Sequence, residues 1–181
     1  MTSQTSMRPL SLNHVAYVTW NTADTVRFYT EVLGMKLRGH ASGTKVSTGE
    51  TGRFLHTFLE MEDGSHIAFF EIDGVARESH QTPVPKWARH IALNVASQEI
   101  LEQWVQRLRL HGVEFVGPID HDGTWNSIYF FDPNGIRLEL TYQSRELTDD
   151  DEAKAARAVR DWAREHRQTA AAQRADRTPH P

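Results

Sequence analysis

The run IDHDGTWNSIYFFDPNGIRLE, Ile119 to Glu139, decides how the chain is read. Asp132-Pro133-Asn134-Gly135 makes a turn for physical reasons: Pro133 presets φ at a turn's first central position, and Gly135 accepts positive φ without strain. In the strand that leaves this turn, Ile136, Leu138 and Leu140 fall on one face, and Arg137, Glu139 and Thr141 on the other. A carboxylate set mid-strand among apolar neighbours must be solvated, paired or bound to a cation, because a bare buried charge costs too much.

Working outward, the same pattern occurs twice. Leu12–Thr19 alternates as a strand with His14, Ala16 and Val18 on one face, and Arg89-His90-Ile91-Ala92-Leu93 echoes Asn13-His14-Val15-Ala16-Tyr17. Each of these strands precedes an apolar helical stripe. Thr22 reads as the N-cap of a helix from about Ala23 to Leu33 stopped by Gly34, and Ser97 as the N-cap of one carrying Ile100, Leu101, Trp104, Val105 and Leu108, stopped by Gly112. Met35–Gly39 then matches Val113–Gly117, and Asp63-Gly64 precedes Ala68 as Asn134-Gly135 precedes Glu139. The Gly, Ser and Thr content of His40–Gly52 suggests a mobile loop before a strand over Arg53–Glu60, with a fourth strand over His66–Ile72.

The reading is therefore an α+β chain of two tandem βαβββ modules. Module one spans 10–74, a polar linker 75–87 and module two 88–143. One module buries too little alone, so the two are expected to pair as one open-sided β-barrel with helices outside and His14, His90 and Glu139 lining a shared concavity. Residues 1–9 read as a disordered arm. Within 144–181, Thr148 followed by Asp149, Asp150 and Asp151 starts a C-terminal helix reaching about Arg167, with disorder beyond Gln168.

Composition sets the limits. The chain has 181 residues, is 39% hydrophobic and carries a formal charge of -4, so it lacks a basic field for nucleic acid. It has no cysteine, so any metal must rest on histidine and carboxylate. No apolar run approaches membrane-spanning length, and Met1–Pro9 lacks the apolar core of a signal peptide, which points to a cytoplasmic protein.

This duplicated arrangement, with His opening each half and Glu on the last strand, resembles the vicinal oxygen chelate superfamily of glyoxalases, fosfomycin-resistance enzymes, epimerases and extradiol dioxygenases. Within it, Ile119, His121, Ile128, Tyr129, Asp132, Pro133, Gly135 and Glu139 resemble the type I extradiol ring-cleavage dioxygenase signature. The resemblance implies that His14, His90 and Glu139 hold one Fe(II), with Mn(II) or another divalent ion as the alternative, leaving positions for a catecholic substrate and dioxygen. It also implies that His121 and Tyr129 act on the bound substrate and that His66 carries protons. The His66 assignment is offset by one residue from the family position at Ser65, and His56 is its rival. Four-ligand members take a ligand where this chain has Ala68, which favours the dioxygenase over a lyase or epimerase, although fosfomycin-resistance-like members also use three protein ligands. Two alternatives stand beside it: a glyoxalase-like or fosfomycin-resistance-like lyase or transferase, and a metal-free small-molecule binding protein resembling bleomycin-resistance proteins. Homodimerisation stays open.

Overall fold

The computed structural model describes residues 8–45, 48–77 and 84–176, so most of the expected N-terminal arm, part of the linker and the last residues lie outside them. The chain divides into two compact units, Met1–Gln143 and Ser144–Pro181. In the first unit the elements are β1 (His14–Val18), α1 (Thr22–Arg27), β2 (Lys36–Lys45), β3 (Thr51–Glu60), β4 (His66–Ile72), β5 (His90–Asn94), α2 (Gln98–Leu110), β6 (Phe115–His121), β7 (Trp125–Phe131) and β8 (Arg137–Gln143). They form two four-stranded sheets of identical design, β1-β4-β3-β2 and β5-β8-β7-β6. In each, the first strand runs parallel to the last and the others pair antiparallel. The duplication read from the sequence is thus a duplication of topology.

Strand parity sorts the side chains. Val15, Tyr17, Ile67, Phe69 and Leu59 face one side of the first sheet, and Ile91, Leu93, Leu138, Leu140, Ile128 and Phe130 the equivalent side of the second. Both sets enter one core together with Tyr29, Val32 and Leu33 and the α2 residues Leu101, Val105 and Leu108. Burying a side chain such as Phe69, which is fully inaccessible, stabilises the fold by about 2–3 kcal/mol.

The modules are joined through their helices. Phe28 packs on Phe130 with ring centroids 6.4 Å apart, Arg107 of α2 donates to the carbonyls of Val32 (2.6 Å) and Glu31 (2.7 Å), and Tyr29 donates to Asp132 (3.2 Å). The expected tandem modules form, and their two sheets do not close into a barrel. The helix-bearing faces meet, and the faces carrying His14 and His90 turn away from the core they share. The physical reason is the apolar and aromatic content of the helix-bearing faces, which bury one another.

Three local expectations change. Asn21, not Thr22, caps α1, accepting from the Asp24 amide, and the helix gives way to a π turn over Phe28–Val32, where Leu33 N–H reaches the Phe28 carbonyl. The run expected as a mobile loop is largely strand: β2 continues to Lys45, with Gly39 opposite Phe58 and Gly43 opposite Phe54. Its small residues fit against an aromatic row, which composition alone hides.

The second unit holds α3 (Asp149–Asp176), longer than expected. Thr148 and Asp151 exchange hydrogen bonds at its start, and Arg145 donates to both carboxylate oxygens of Asp151 (2.7 and 3.0 Å). Those contacts hold the Asp151 carboxyl well below its ordinary range, the Arg145 hydrogen bond most of all. No helix among the described residues is long and apolar enough to cross a membrane.

Candidate metal centre

Glu139 lies in the middle of β8, opposite Ala92 of β5 and Tyr129 of β7. It is buried, at 7% exposure. One carboxylate oxygen accepts from Ser127 Oγ at 2.5 Å and the other meets His90 Nε2 at 3.0 Å. Ser127 Oγ also lies 2.8 Å from Thr141 Oγ1, so the serine is held from both sides and fixes the carboxylate. Arg137, on the same face, does not take the role of counter-ion: its guanidinium stacks 4.1 Å from the Tyr129 ring centroid and donates to the Trp87 carbonyl.

Tyr129 and His121 stand together on this face. His121 Nε2 is 2.8 Å from the Tyr129 hydroxyl, and the His90 ring meets Tyr129 edge-on at 6.1 Å. Burial pushes the Tyr129 phenol up from its ordinary value, and the neighbouring Glu139 charge adds to the rise. A phenol so placed keeps its proton and donates it.

His14 sits on the other sheet. Its Nδ1 bonds Asn13 Oδ1 at 2.7 Å, which leaves Nε2 as a lone-pair donor, and its ring packs edge-on against Phe58 at 5.5 Å. His66 is its register partner on β4, and so shares its face despite the one-residue offset from the family pattern; Ser65 instead bonds Asp63. His56 shares that face too, 6.4 Å from His14 between ring centroids. It is buried, stacks flat on Phe70 at 3.6 Å and bonds the Phe69 carbonyl through Nδ1. Burial lowers its pKa, the Phe69 carbonyl opposes the shift, and the nearby His14 adds to it. Ala68 is fully buried between these strands, and Glu71, on the opposite face, accepts from the Thr22 amide at 2.7 Å.

Two imidazoles and one carboxylate suit a divalent transition metal. The geometry divides them: His90 and Glu139 form one corner, whereas no three histidine, aspartate or glutamate side chains among the described residues gather as a metal site. What the sequence did not reveal is Ser127, the residue that fixes Glu139. Its only signal is its place two residues before Tyr129 on the same strand face.

A family model described as the glyoxalase/bleomycin resistance protein/dioxygenase superfamily matches residues 11–140. The chain belongs to that superfamily. It is 27% identical over 138 residues to the metallothiol transferase FosB of Staphylococcus epidermidis, covering 74% of this chain and 82% of the relative. Among solved structures it is similar to a glyoxylase/bleomycin resistance protein/dioxygenase domain from Frankia (21% identity, TM-score 0.60, 75% of this chain and 99% of the other). It is also similar to the fosfomycin resistance protein FosX of Listeria monocytogenes, in a point mutant complexed with Mn(II) and 1S,2S-dihydroxypropylphosphonic acid (20% identity, TM-score 0.52, 77% and 96%). At these identities the structural likeness shows the fold.

Proposed function

We propose that the chain is a metal-dependent enzyme of small-molecule chemistry whose divalent ion is held by His90 and Glu139 of one copy and His14 of a second. The observation that carries this reading is Glu139: a buried carboxylate fixed by Ser127, with an imidazole 3.0 Å from its other oxygen. That corner supplies two ligands, and His14, on the equivalent strand of the other module, is the matching third. The face around His90 also leaves Val116, Trp125 and Phe131 substantially exposed, an apolar strip that a second copy's sheet covers. The assembly is a homodimer with two shared sites.

Bound there, a divalent ion supplies Lewis acidity to an oxygen of the substrate. Tyr129 donates its phenolic proton toward that oxygen, His121 orients the phenol, and His56 or His66 carries protons on the opposite wall. The relatives favour the addition of a thiol or water to an electrophile, as expected for a fosfomycin-resistance-like transferase or lyase. Three protein ligands, with Ala68 where a fourth would stand, suit such an enzyme.

Ring cleavage of a catechol is the second reading, supported by the 2.8 Å contact between His121 and Tyr129. That contact pairs an imidazole and a phenol beside the proposed metal, as deprotonation of a diol requires.

The test loads purified protein anaerobically with Mn(II) or Fe(II). Each form is given fosfomycin with cysteine, or a panel of catechols, while thiol loss, diol formation and oxygen uptake are followed. Thiol loss or diol formation supports the first reading, and oxygen uptake with a yellow product the second. Fully loaded protein inert in every arm would remove both.

A further inference from the structure

The face of the first sheet that carries His14 has a second feature, which starts beside His14 and runs along β3. On β3, Phe58, His56 and Phe54 form a row, continued by Phe70 on β4. Phe58 and His56 centroids are 4.3 Å apart, the His56 and Phe70 rings are parallel within 5° at 3.6 Å, and Phe70 meets Phe54 at 5.7 Å. Opposite this row β2 offers only Gly39, Ala41 and Gly43, in register with Phe58, His56 and Phe54. The rings lean over these small residues, a Cβ at Gly43 meeting the Phe54 ring at 3.4 Å and one at Gly39 the Phe58 ring at 3.8 Å, so the row makes a continuous aromatic surface. It ends in a cavity of about 280 Å³ lined by Phe54, Phe70, Ile72 and Gly52, with Thr51 and Glu50 also in its wall.

We infer that this aromatic surface and the cavity at its end bind a flat, uncharged aromatic group at the far end of the substrate from the metal. Rings at this spacing accept another ring by offset or edge contact. Phe58 lies against His14, and Phe54 is four residues further along β3, about 13 Å at the usual strand rise. A substrate engaging both ends is therefore elongated, two rings or more, with its polar reactive group toward His14. The Glu50 carboxylate in the cavity wall disfavours an anionic tail. A compact phosphonate would leave the cavity unfilled, so the inference narrows the substrate class; its orientation rests on the proposed metal site, but the aromatic subsite does not.

The test uses full-length protein stripped of metal with a chelator, so that binding is read without turnover. Titration calorimetry compares phenol, biphenyl-4-ol and 4'-hydroxybiphenyl-4-carboxylate, whose anionic end would lie in the cavity. Biphenyl-4-ol is expected to bind about tenfold or more tighter than phenol, as burial of a second ring implies, and the carboxylate more weakly than biphenyl-4-ol. Gly52→Leu fills the cavity, because a Cβ there meets Ile72 only at ordinary contact distance, 3.7 Å. That variant and Phe54→Ala should each remove most of the gain from the second ring while the melting temperature of Gly52→Leu stays near wild type. Biphenyl-4-ol binding no tighter than phenol overturns the inference, as does a gain that survives both substitutions. If the metal reading fails and the biphenylol gain persists, the subsite stands alone.

Discussion

The Tyr29 hydroxyl donates to Asp132 Oδ2 at 3.2 Å, joining the π turn that follows α1 in one module to the hairpin turn of the other across 103 residues of sequence. Asp132 accepts three further hydrogen bonds from within its own turn, through the Asn134 and Ile136 amides and the Asn134 side chain. Asn134 in turn bonds Thr19 and Thr25 of the first module. The turn that closes a hairpin is thus also the clasp between modules.

Tyr29→Phe should cost about 1 kcal/mol, the net worth of one hydrogen bond, and Asp132→Ala about 2 kcal/mol or more, because buried donors lose their acceptor. Burial raises the Asp132 pKa in the folded chain, with its hydrogen bonds opposing. A raised folded value means that this group's contribution is fully present below its ordinary pKa of 3.8 and declines as pH rises through the folded value. Urea melts of wild type and Asp132→Asn between pH 3.5 and 7 check this: the wild-type advantage should shrink on going up in pH, and a growing advantage would count against it.

The proposed sharing of the site between copies has an arithmetic consequence. His14→Ala and Glu139→Ala should each abolish tight metal binding alone. Co-refolded as an equal mixture, half of the dimers combine the two variants, and each of these holds one intact site, so about one quarter of the wild-type metal content should return. Metal analysis of the mixture after anaerobic reconstitution gives the answer. No recovery would sink the shared site.

Ser127→Ala should leave the fold intact and weaken metal binding about 10–100-fold, the usual effect of releasing a ligand from the group that orients it. Ser127→Thr, which keeps the hydroxyl, should recover part of the affinity. Competition with a chelating dye measures both.

His121→Ala and Tyr129→Phe should lower turnover about a hundredfold or more at unchanged metal content, the scale expected for a positioned proton donor. Rates per bound metal ion make the comparison. Wild-type turnover in Tyr129→Phe would take the phenol out of the chemistry.

The alternation in β1, β4, β5 and β8 was legible because period two shows directly in the sequence, and so was the matched position of Gly64 and Gly135, both at positive φ. The face shared by His14 and Ala68, and that shared by His90 and Glu139, follow from the same parity. The packing of the modules was not legible. Parity tells which residues share a face, whereas whether two faces meet within one chain depends on contacts such as Phe28 with Phe130, distant in sequence. The π turn after α1 was equally hidden, since an apolar stripe at Tyr29, Val32 and Leu33 satisfies either winding. The stretch from His40 to Lys45 misled for another reason: glycine in a strand is read as a break, and here Gly43 accommodates an aromatic neighbour, Phe54.

β2 is the outer strand of its sheet, with a hydrogen-bonded neighbour on one side only. Mutational drift at Gly43 therefore reshapes the proposed aromatic subsite, where a Cβ meets the Phe54 ring, while touching neither the core nor the residues proposed to carry the chemistry. Such a strand lets selection retune which molecules are accepted by small steps, each tolerable to the fold, with the reactive centre inherited unchanged.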